Sequence, residues 1–433
     1  MRLLFVVDLA YPDHAGGSHR LYYEVARRLA ARGHQVHLIT AQPQDDATLP
    51  AKETIDGVHY HRFARDRRHA LAHALSYARG ARHLFDRLAA QAPFDLISAH
   101  YALPTLGVLS SPQRGRTPVV YTLHGVWARE YAVEMAQVGG TGPRAWLRRG
   151  MVTGNHTRLV THILLSARQG VIAGQVAGTL GLMRLLEWLA LRASARVHVL
   201  SQFMAEEACT FYGVPAGKLV LIPGGVDSEK FAPTLSRSEA RQRLGLPLDR
   251  PLLLTIRRLY ARMGLENLVA AMATVVREQP AALLLIGGAG PLEGRLREVV
   301  AAQGLGENVR LLGYIPEEQL PLYYRAADLF VLPSVELEGF GLVTLEALAC
   351  GTPVLGTPVG GTVEILAGLA PALLCRSPQP ADLAVDIVRF LADPALAPSA
   401  EACHRYVLEH YSWDDMAARL EALFVTVAGQ DAD

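Results

Sequence analysis

The sequence predicts an α/β fold made of two doubly wound, parallel-sheet domains, and three observations carry that prediction. Half of the 433 residues are hydrophobic and 19% are charged. That supplies large buried cores and excludes a disordered or collagen-like chain. The apolar residues gather in short continuous runs instead of alternating, which is the pattern of strands covered on both faces. Segments of helical period separate most of these runs, and the βαβα rhythm occurs twice. At roughly 150 residues per domain, the length suits two or three domains.

The elements follow in order. Residues 1–10 form an apolar run broken by Asp8, without a basic n-region or a small-residue cleavage site. This reads as a first buried strand over 3–7 and not as a secretory leader. Residues 20–32 place Leu21, Val25, Arg28 and Leu29 on successive turns and read as a helix. Further strands are expected at 36–39, 58–63, 96–99, 119–123 and 197–200. A second set is expected at 252–256, 283–286, 309–312, 329–332 and 354–355. The boundary falls near 199–226, which gives a first domain over 1–205 and a second over 206–411. Residues 231–250, rich in Pro, Ser and charge, read as a linker or surface loop. Residues 412–427 have helical period with no strand after them, and no repeat array is present.

Charge is uneven although the net is +1. Residues 1–200 carry 24 Lys+Arg against 13 Asp+Glu, and the remainder carries 18 against 28. Between 141 and 200 there are eight Arg and one acid, Glu187. That asymmetry suggests an anionic partner for the first half, an anionic membrane surface in particular. The other reading is that these arginines merely solvate ordinary helices. The longest uncharged apolar stretch, 169–183, has 15 residues, short of the ~20 needed to span a bilayer. Its glycines at 170, 174 and 178 suit a close helix crossing. The aromatic interleaving, helix-turn-helix and zinc finger of nucleic-acid binders are absent. Cys209, Cys350, Cys375 and Cys403 are far apart, form no Cys-x-x-Cys pair and suit a reducing cytosol. The expected location is therefore cytoplasmic, with peripheral attachment at the inner face of the membrane as an option.

Ligands of open α/β sheets bind beyond the carboxyl ends of the strands, so the residues just after strands are the candidates. Gly16-Gly17-Ser18 follows the first strand and opens a helix; it suits a phosphate, or a plain tight turn. Thr122-Leu123-His124-Gly125 ends a strand, placing an imidazole at the sheet edge as a ligand or as a structural residue; His100 sits similarly. Arg257-Arg258-Leu259 ends another strand, with Arg262-Met263-Gly264 beyond it. Guanidinium groups there meet a diphosphate by forked hydrogen bonds, or line a solvated turn. Residues 333–342 follow an apolar strand and lead into a helix. Glu338 lies on the loop and Glu346 about one turn into the helix, where a carboxylate can accept both hydroxyls of a ribose. Gly339 and Gly341 free backbone amides for a sugar or phosphate. Glu364 at the next helix start reads as an acceptor for ligand or as a cap.

With these motifs the chain resembles family 4 of the retaining glycosyltransferases, which have the GT-B fold of two Rossmann-like domains facing a cleft. The resemblance runs over nearly the whole chain. It includes the first glycine loop, Gly33-His34-Gln35-Val36, His124-Gly125 and Ile222-Pro223-Gly224-Gly225-Val226-Asp227. It continues through Arg258-Leu259, Gly287-Gly288-Ala289-Gly290-Pro291, the Glu338/Glu346 pair, residues 349–354 and the Trp413 helix. The resemblance implies a sugar nucleotide on the second domain, an acceptor on the first, and a last helix over 412–430 that crosses back. It implies Arg258 on the diphosphate, Glu346 on the ribose, and Glu338 with the Phe340, Gly341 and Leu342 backbone at the donor sugar. His124 falls on the sugar's hydroxyls and Gly16 and Gly17 near the phosphates. Two departures stand out. The family's Lys before Gly264 is Met263 here, leaving Arg257 or Arg262 to replace it, and the usual Pro-Asn-Gly-Val-Asp reads Pro223-Gly224-Gly225-Val226-Asp227.

The implied activity is hexosyl transfer from a UDP- or GDP-sugar to a glycan, lipid-linked or small-molecule acceptor, with no cofactor beyond the donor. The single Asp-x-Asp, Asp431-Ala432-Asp433, lies at the C-terminus, so no metal is expected and fixed arginines and helix N-termini stabilise the leaving diphosphate. The alternatives are an idle carbohydrate- or nucleotide-binding GT-B protein and a sugar-nucleotide 2-epimerase. A pyridoxal-phosphate phosphorylase is disfavoured, since the only lysines of the second half, Lys218 and Lys230, precede the nucleotide motifs.

Overall fold

The computed structural model describes residues 1–14, 16–43, 49–66, 68–138 and 169–430. The chain divides into two compact units, Met1–Pro223 with Trp413–Asp433, and Gly224–Ser412. In the first unit the strands are β1 (Arg2–Val6), β2 (Gln35–Ala41), β3 (Lys52–Ile55), β4 (Val58–Phe63), β5 (Leu96–Ala99), β6 (Val119–Leu123), β7 (Arg196–Val199) and β8 (Leu219–Leu221). They form one sheet in the order β3-β4-β2-β1-β5-β6-β7-β8. Its pairs are parallel apart from β3 on β4. The second unit holds β9 (Leu252–Ile256), β10 (Leu283–Gly287), β11 (Val309–Gly313), β12 (Leu329–Leu332) and β13 (Val354–Gly356), all parallel, in the order β11-β10-β9-β12-β13. Every residue of β9, β10, β12 and β13 is buried. That is why their sequences are continuously apolar.

The strand order places the functional loops. In the first sheet the chain winds outward from β1 on one side and β5 on the other. In the second the same change of direction falls between β9 and β12. Crevices at such switch points are where open α/β sheets bind ligands.

Several expectations are corrected. β3 and β8 are additional strands, both at sheet edges: β3 alternates exposed and half-buried positions, and β8 is apolar but only three residues long. β3 and β4 are joined by Asp56 and Gly57, with φ of 47° and 81°, the left-handed pair of a tight hairpin. The unit boundary lies after Pro223 and not at 205, because the helix Gln202–Tyr212 leads to β8, which pairs with β7. Residues 231–250 are not a plain loop. They contain the helix Arg237–Leu244, started by a capping box between Ser236 and Glu239 and stopped by Gly245 at φ 63°. Its buried group is an arginine: Arg241 donates from Nε to Ala326 O at 2.8 Å and from Nη2 to Asp328 Oδ2 at 2.6 Å.

The helix Trp413–Gln430 belongs to the first unit. It buries Trp413, Met416, Leu420 and Phe424, and Asp414 and Glu421 pair with Arg28, Arg32 and His34 of the first unit at 2.6–3.0 Å. The uncharged stretch 169–183 opens the helix Gln169–Ala193. Among the described residues no helix is long and apolar enough to cross a membrane. Residues 141–168, with their arginines and Trp146, and the triplet 431–433 lie outside the described residues.

Candidate active site

In the second unit the loops after β9 and β12 lock into one another. Gly264 ends the turn Ala261–Met263 at φ 71°, and a Cβ there would lie 1.7 Å from Pro333 O. The backbone crossing is closed by Val335 N–H donating to Arg262 O at 3.0 Å. Gly264→Ala therefore meets both a main-chain clash and a left-handed conformation, and should destabilise the second unit by about 2–4 kcal/mol in urea unfolding.

Arg257 turns inward from the end of β9. Its Nη1 donates to Ser334 Oγ at 2.8 Å, and its Nη2 reaches Glu338 Oε2 at 2.5 Å and Met263 Sδ at 2.8 Å. Ser334 Oγ in turn donates to Glu338 Oε2 at 2.7 Å. Arg262, also buried, donates from Nη1 to Leu337 O at 3.0 Å. Leu337 has φ 53°, a conformation that costs a non-glycine residue roughly 1–2 kcal/mol. Glu338 O accepts from Gly361 N–H at 2.8 Å, and a Cβ on Gly360 would lie 1.9 Å from it. Burial pushes the Glu338 carboxyl up, but Arg257, the Ser334 hydroxyl and Arg262 outweigh it, and the group stays below the usual carboxylate range. Glu338 is thus an ionised, half-buried carboxylate at neutral pH.

Arg258 differs from its two neighbours. It is exposed, with its guanidinium 5.2 Å from the centre of the Tyr260 ring. Among the three predicted phosphate arginines it is the one presented to solvent. Glu346 lies on the helix Leu342–Ala349, half-buried, where Oε2 accepts from Tyr324 O–H at 2.7 Å. That helix starts at Gly341, with φ 90°. Leu342 is half-buried, while Phe340 is buried with its ring 6.1 Å from Tyr411's. Glu364 is exposed in the first turn of the helix Thr362–Leu369.

A second cluster sits at the switch point of the first unit, after β1, β5 and β6. His124 Nε2 and His100 Nδ1 share a hydrogen bond of 2.9 Å, and His100 Nε2 meets Ser98 Oγ at 3.1 Å. The Tyr101 ring stacks on His124 at 5.8 Å, and its hydroxyl bonds Ser18 Oγ at 2.8 Å. Gly16 precedes the helix Gly17–Ala31 close to His19. Burial first, and then the neighbouring His198 and His19, drive the His124 imidazole down to about 3. It is therefore neutral, with one nitrogen to donate and one to accept. His100 had support from its place after a strand. Ser98 and Tyr101 carried none, since one hides inside an apolar strand and the other looks like any surface tyrosine. Among the described residues no group of three or more His, Cys, Asp or Glu is arranged to hold a metal.

Comparison with known proteins bears on the family and the fold. A family model described as "Glycosyl transferase 4-like domain" matches residues 16–225, and one described as "Glycosyl transferases group 1" matches 236–422. D-inositol 3-phosphate glycosyltransferase of Nocardiopsis dassonvillei is 30% identical over 401 residues, spanning 88% of this chain and 82% of that protein. The GDP-mannose-dependent alpha-(1-6)-phosphatidylinositol monomannoside mannosyltransferase of Mycolicibacterium smegmatis is 31% identical over 235 residues, 52% of this chain and 61% of that one. The solved sucrose-phosphate synthase of Thermosynechococcus elongatus has a TM-score of 0.74 at 25% identity, covering 99% of this chain and 100% of that chain.

Proposed function

We propose, since the chain belongs to the family 4 glycosyltransferases of the GT-B fold, that it moves a hexose from UDP or GDP to an acceptor hydroxyl with retention and without a metal. The observation that carries this reading is that Glu338 and Glu346 follow β12 and the exposed Arg258 follows β9, the two neighbouring strands of the second sheet's switch point. Glu346, its carboxylate steadied by Tyr324, accepts the ribose hydroxyls. Arg258 meets the diphosphate with charge-assisted hydrogen bonds, and the amides at Phe340–Leu342 supply the rest. Glu338 accepts hydroxyls of the donor sugar. His124 of the first unit, neutral, binds a sugar hydroxyl as donor or acceptor, and Gly16 and Gly17 leave room for phosphate oxygens.

In the reaction the bond from the anomeric carbon to the phosphate oxygen breaks while the acceptor oxygen bonds the same face. The acceptor's proton passes to the departing phosphate oxygen. Fixed positive groups stabilise the charge that grows on that oxygen without having to reorganise.

The test is a panel of UDP- and GDP-sugars screened by thermal shift, since a ligand of the native state raises its stability by mass action. Hits are then offered D-inositol 3-phosphate and phosphatidylinositol monomannoside, the acceptors in the relatives' names. Release of free nucleotide diphosphate with a glycosylated product supports the reading. An epimerised but intact nucleotide sugar, or binding with no release, overturns it.

Two further outcomes are expected. Activity should persist in EDTA, because the cations assigned here are side chains; loss on chelation that manganese restores would overturn the metal-free mechanism. The basic first unit should bring the protein onto anionic vesicles at low salt and release it at high salt, at ~1 kcal/mol per basic residue near the surface. Cosedimentation with neither anionic nor neutral vesicles would overturn the membrane-surface acceptor.

A further inference from the structure

We infer that Arg257 and Arg262 are positioning residues that clasp the Leu337–Glu338 turn, and that residue 263 must be uncharged because Arg257 already makes the direct ion pair with Glu338 and Arg262 lies close to it. The inference rests on the donor-site reading above and assigns these arginines a role other than holding phosphate. Four observations carry it. Both terminal nitrogens of Arg257 are spent inside the protein, on Ser334, Glu338 and Met263. The ion pair is withdrawn from water, with side-chain exposures of 5% for Arg257 and 13% for Glu338. Arg262 grips the carbonyl of Leu337, the residue held in the left-handed region. Met263 is itself buried and lies directly on the guanidinium.

The physical consequence is a charge count. Two buried arginines, Arg257 in direct contact and Arg262 close by, already face one carboxylate in this corner. A lysine at 263 would set an ammonium against Arg257, and like charges at such range in a buried place repel strongly. Removing Arg257 alone leaves the buried Glu338 carboxylate short of its counter-ion. Exchanging the two, with the cation on residue 263 and a neutral side chain at 257, restores the count. The absence of the family's lysine is thereby explained: Arg257, in contact with Met263, carries a charge there instead. Diphosphate binding falls to Arg258.

The experiment is a double-mutant cycle of Arg257→Met and Met263→Lys, measured by kcat/KM for the donor, affinity for the free nucleotide diphosphate, and thermal midpoint. Each single variant should lose about tenfold or more in kcat/KM, the worth of one charge-assisted hydrogen bond. Nucleotide affinity should stay within about threefold, and the double variant should recover most of the loss, a coupling that independent sites do not show. Additive losses in the double variant would overturn the inference. So would a fall in nucleotide affinity in Arg257→Met that matches the fall in kcat/KM, which would make Arg257 a phosphate ligand. If the wild type turns over no nucleotide sugar, the functional reading fails on its own. The clasp is then judged by the thermal midpoint, where recovery in the double variant supports it and additivity overturns it. Should Arg257→Met not fold, Met263→Lys is read against Met263→Leu: loss in the lysine variant alone supports the charge count, and equal loss in both overturns it.

Discussion

Glu338→Gln should lower kcat by about 10²-fold while leaving affinity for the nucleotide diphosphate within about threefold. The substitution preserves shape and removes charge. It takes a charge-assisted acceptor from the donor sugar, worth about 1.5–3 kcal/mol. It also strips the buried Arg257 of its counter-ion, and breaking a buried pair from one side costs about 3–5 kcal/mol. Stability of the second unit should therefore fall together with turnover. Glu346→Ala should do the opposite in kinetics, raising the nucleotide's Kd by about tenfold or more, because its carboxylate sits on the helix after the loop and is steadied by Tyr324. Steady-state kinetics with calorimetric titration of the nucleotide separates the two. Unchanged kinetics in both variants would remove the donor-site assignment.

Acidification from pH 7 to 4 should unfold the first unit before the second. Four of its histidines are neutral because they are buried: His37 is pushed down to about 3, His61 to about 4, His124 to about 3 and His198 to about 4. Neighbouring charges add to burial at the first pair, where Arg2, Lys52, His59 and Arg87 oppose a further proton. The bonds these rings make suit the neutral form. His37 Nδ1 and His61 Nε2 share a hydrogen bond of 3.0 Å, and His198 donates from Nε2 to Ile222 O at 2.9 Å, leaving Nδ1 to accept from Thr122 O–H at 3.1 Å. The folded values lie below the ordinary 6.5, so the unfolded chain takes up protons first. Stability is complete above pH 6.5 and declines as pH falls through the window from 6.5 to about 3–4. At about 1.4 kcal/mol per group and pH unit, the two fully buried rings, His124 and His198, lose on the order of 7 kcal/mol between pH 6.5 and 4, and the more screened His37 and His61 add to it. Trp127, Trp146, Trp188 and Trp413, the four tryptophans of the sequence, all fall in the first unit's residues. Tryptophan emission against pH therefore reports on that unit, and emission that stays native down to pH 4 would refute the prediction.

The long parallel strands were legible because burial on both faces writes itself into sequence as unbroken apolar runs, as at β9 and β12. The edge strand β3 was not. Lys52–Ile55 alternates exposed and half-buried positions and reads as loop, although the Asp56-Gly57 dipeptide carried a hairpin signal. The helix Arg237–Leu244 was hidden for a related reason: the group it buries is Arg241, satisfied by hydrogen bonds that no hydropathy pattern records. The terminal helix was visible as a periodic segment, but its attachment to the first unit rests on Asp414 and Glu421 meeting residues nearly 400 positions away.

The sequence by itself determined the family, the two-fold βαβα rhythm, and the glutamates, arginines and histidines that follow strand ends. Those depend on local order along the chain, because a loop after a buried parallel strand opens at the carboxyl edge of the sheet wherever that strand sits. Only the tertiary structure decided which of these charges are buried and what each one bonds. Arg257, Arg258 and Arg262 look alike as side chains in a row. Yet two turn inward to Glu338 and Leu337 and one faces solvent. That division depends on how the loops after β9 and β12 cross, which the chain reaches only after more than 70 intervening residues. The physical reason is that burial withdraws an arginine from solvent and obliges it to find a partner inside the protein, a carboxylate for Arg257 and a carbonyl for Arg262. Burial is set by what folds over a residue, whatever stands beside it in sequence.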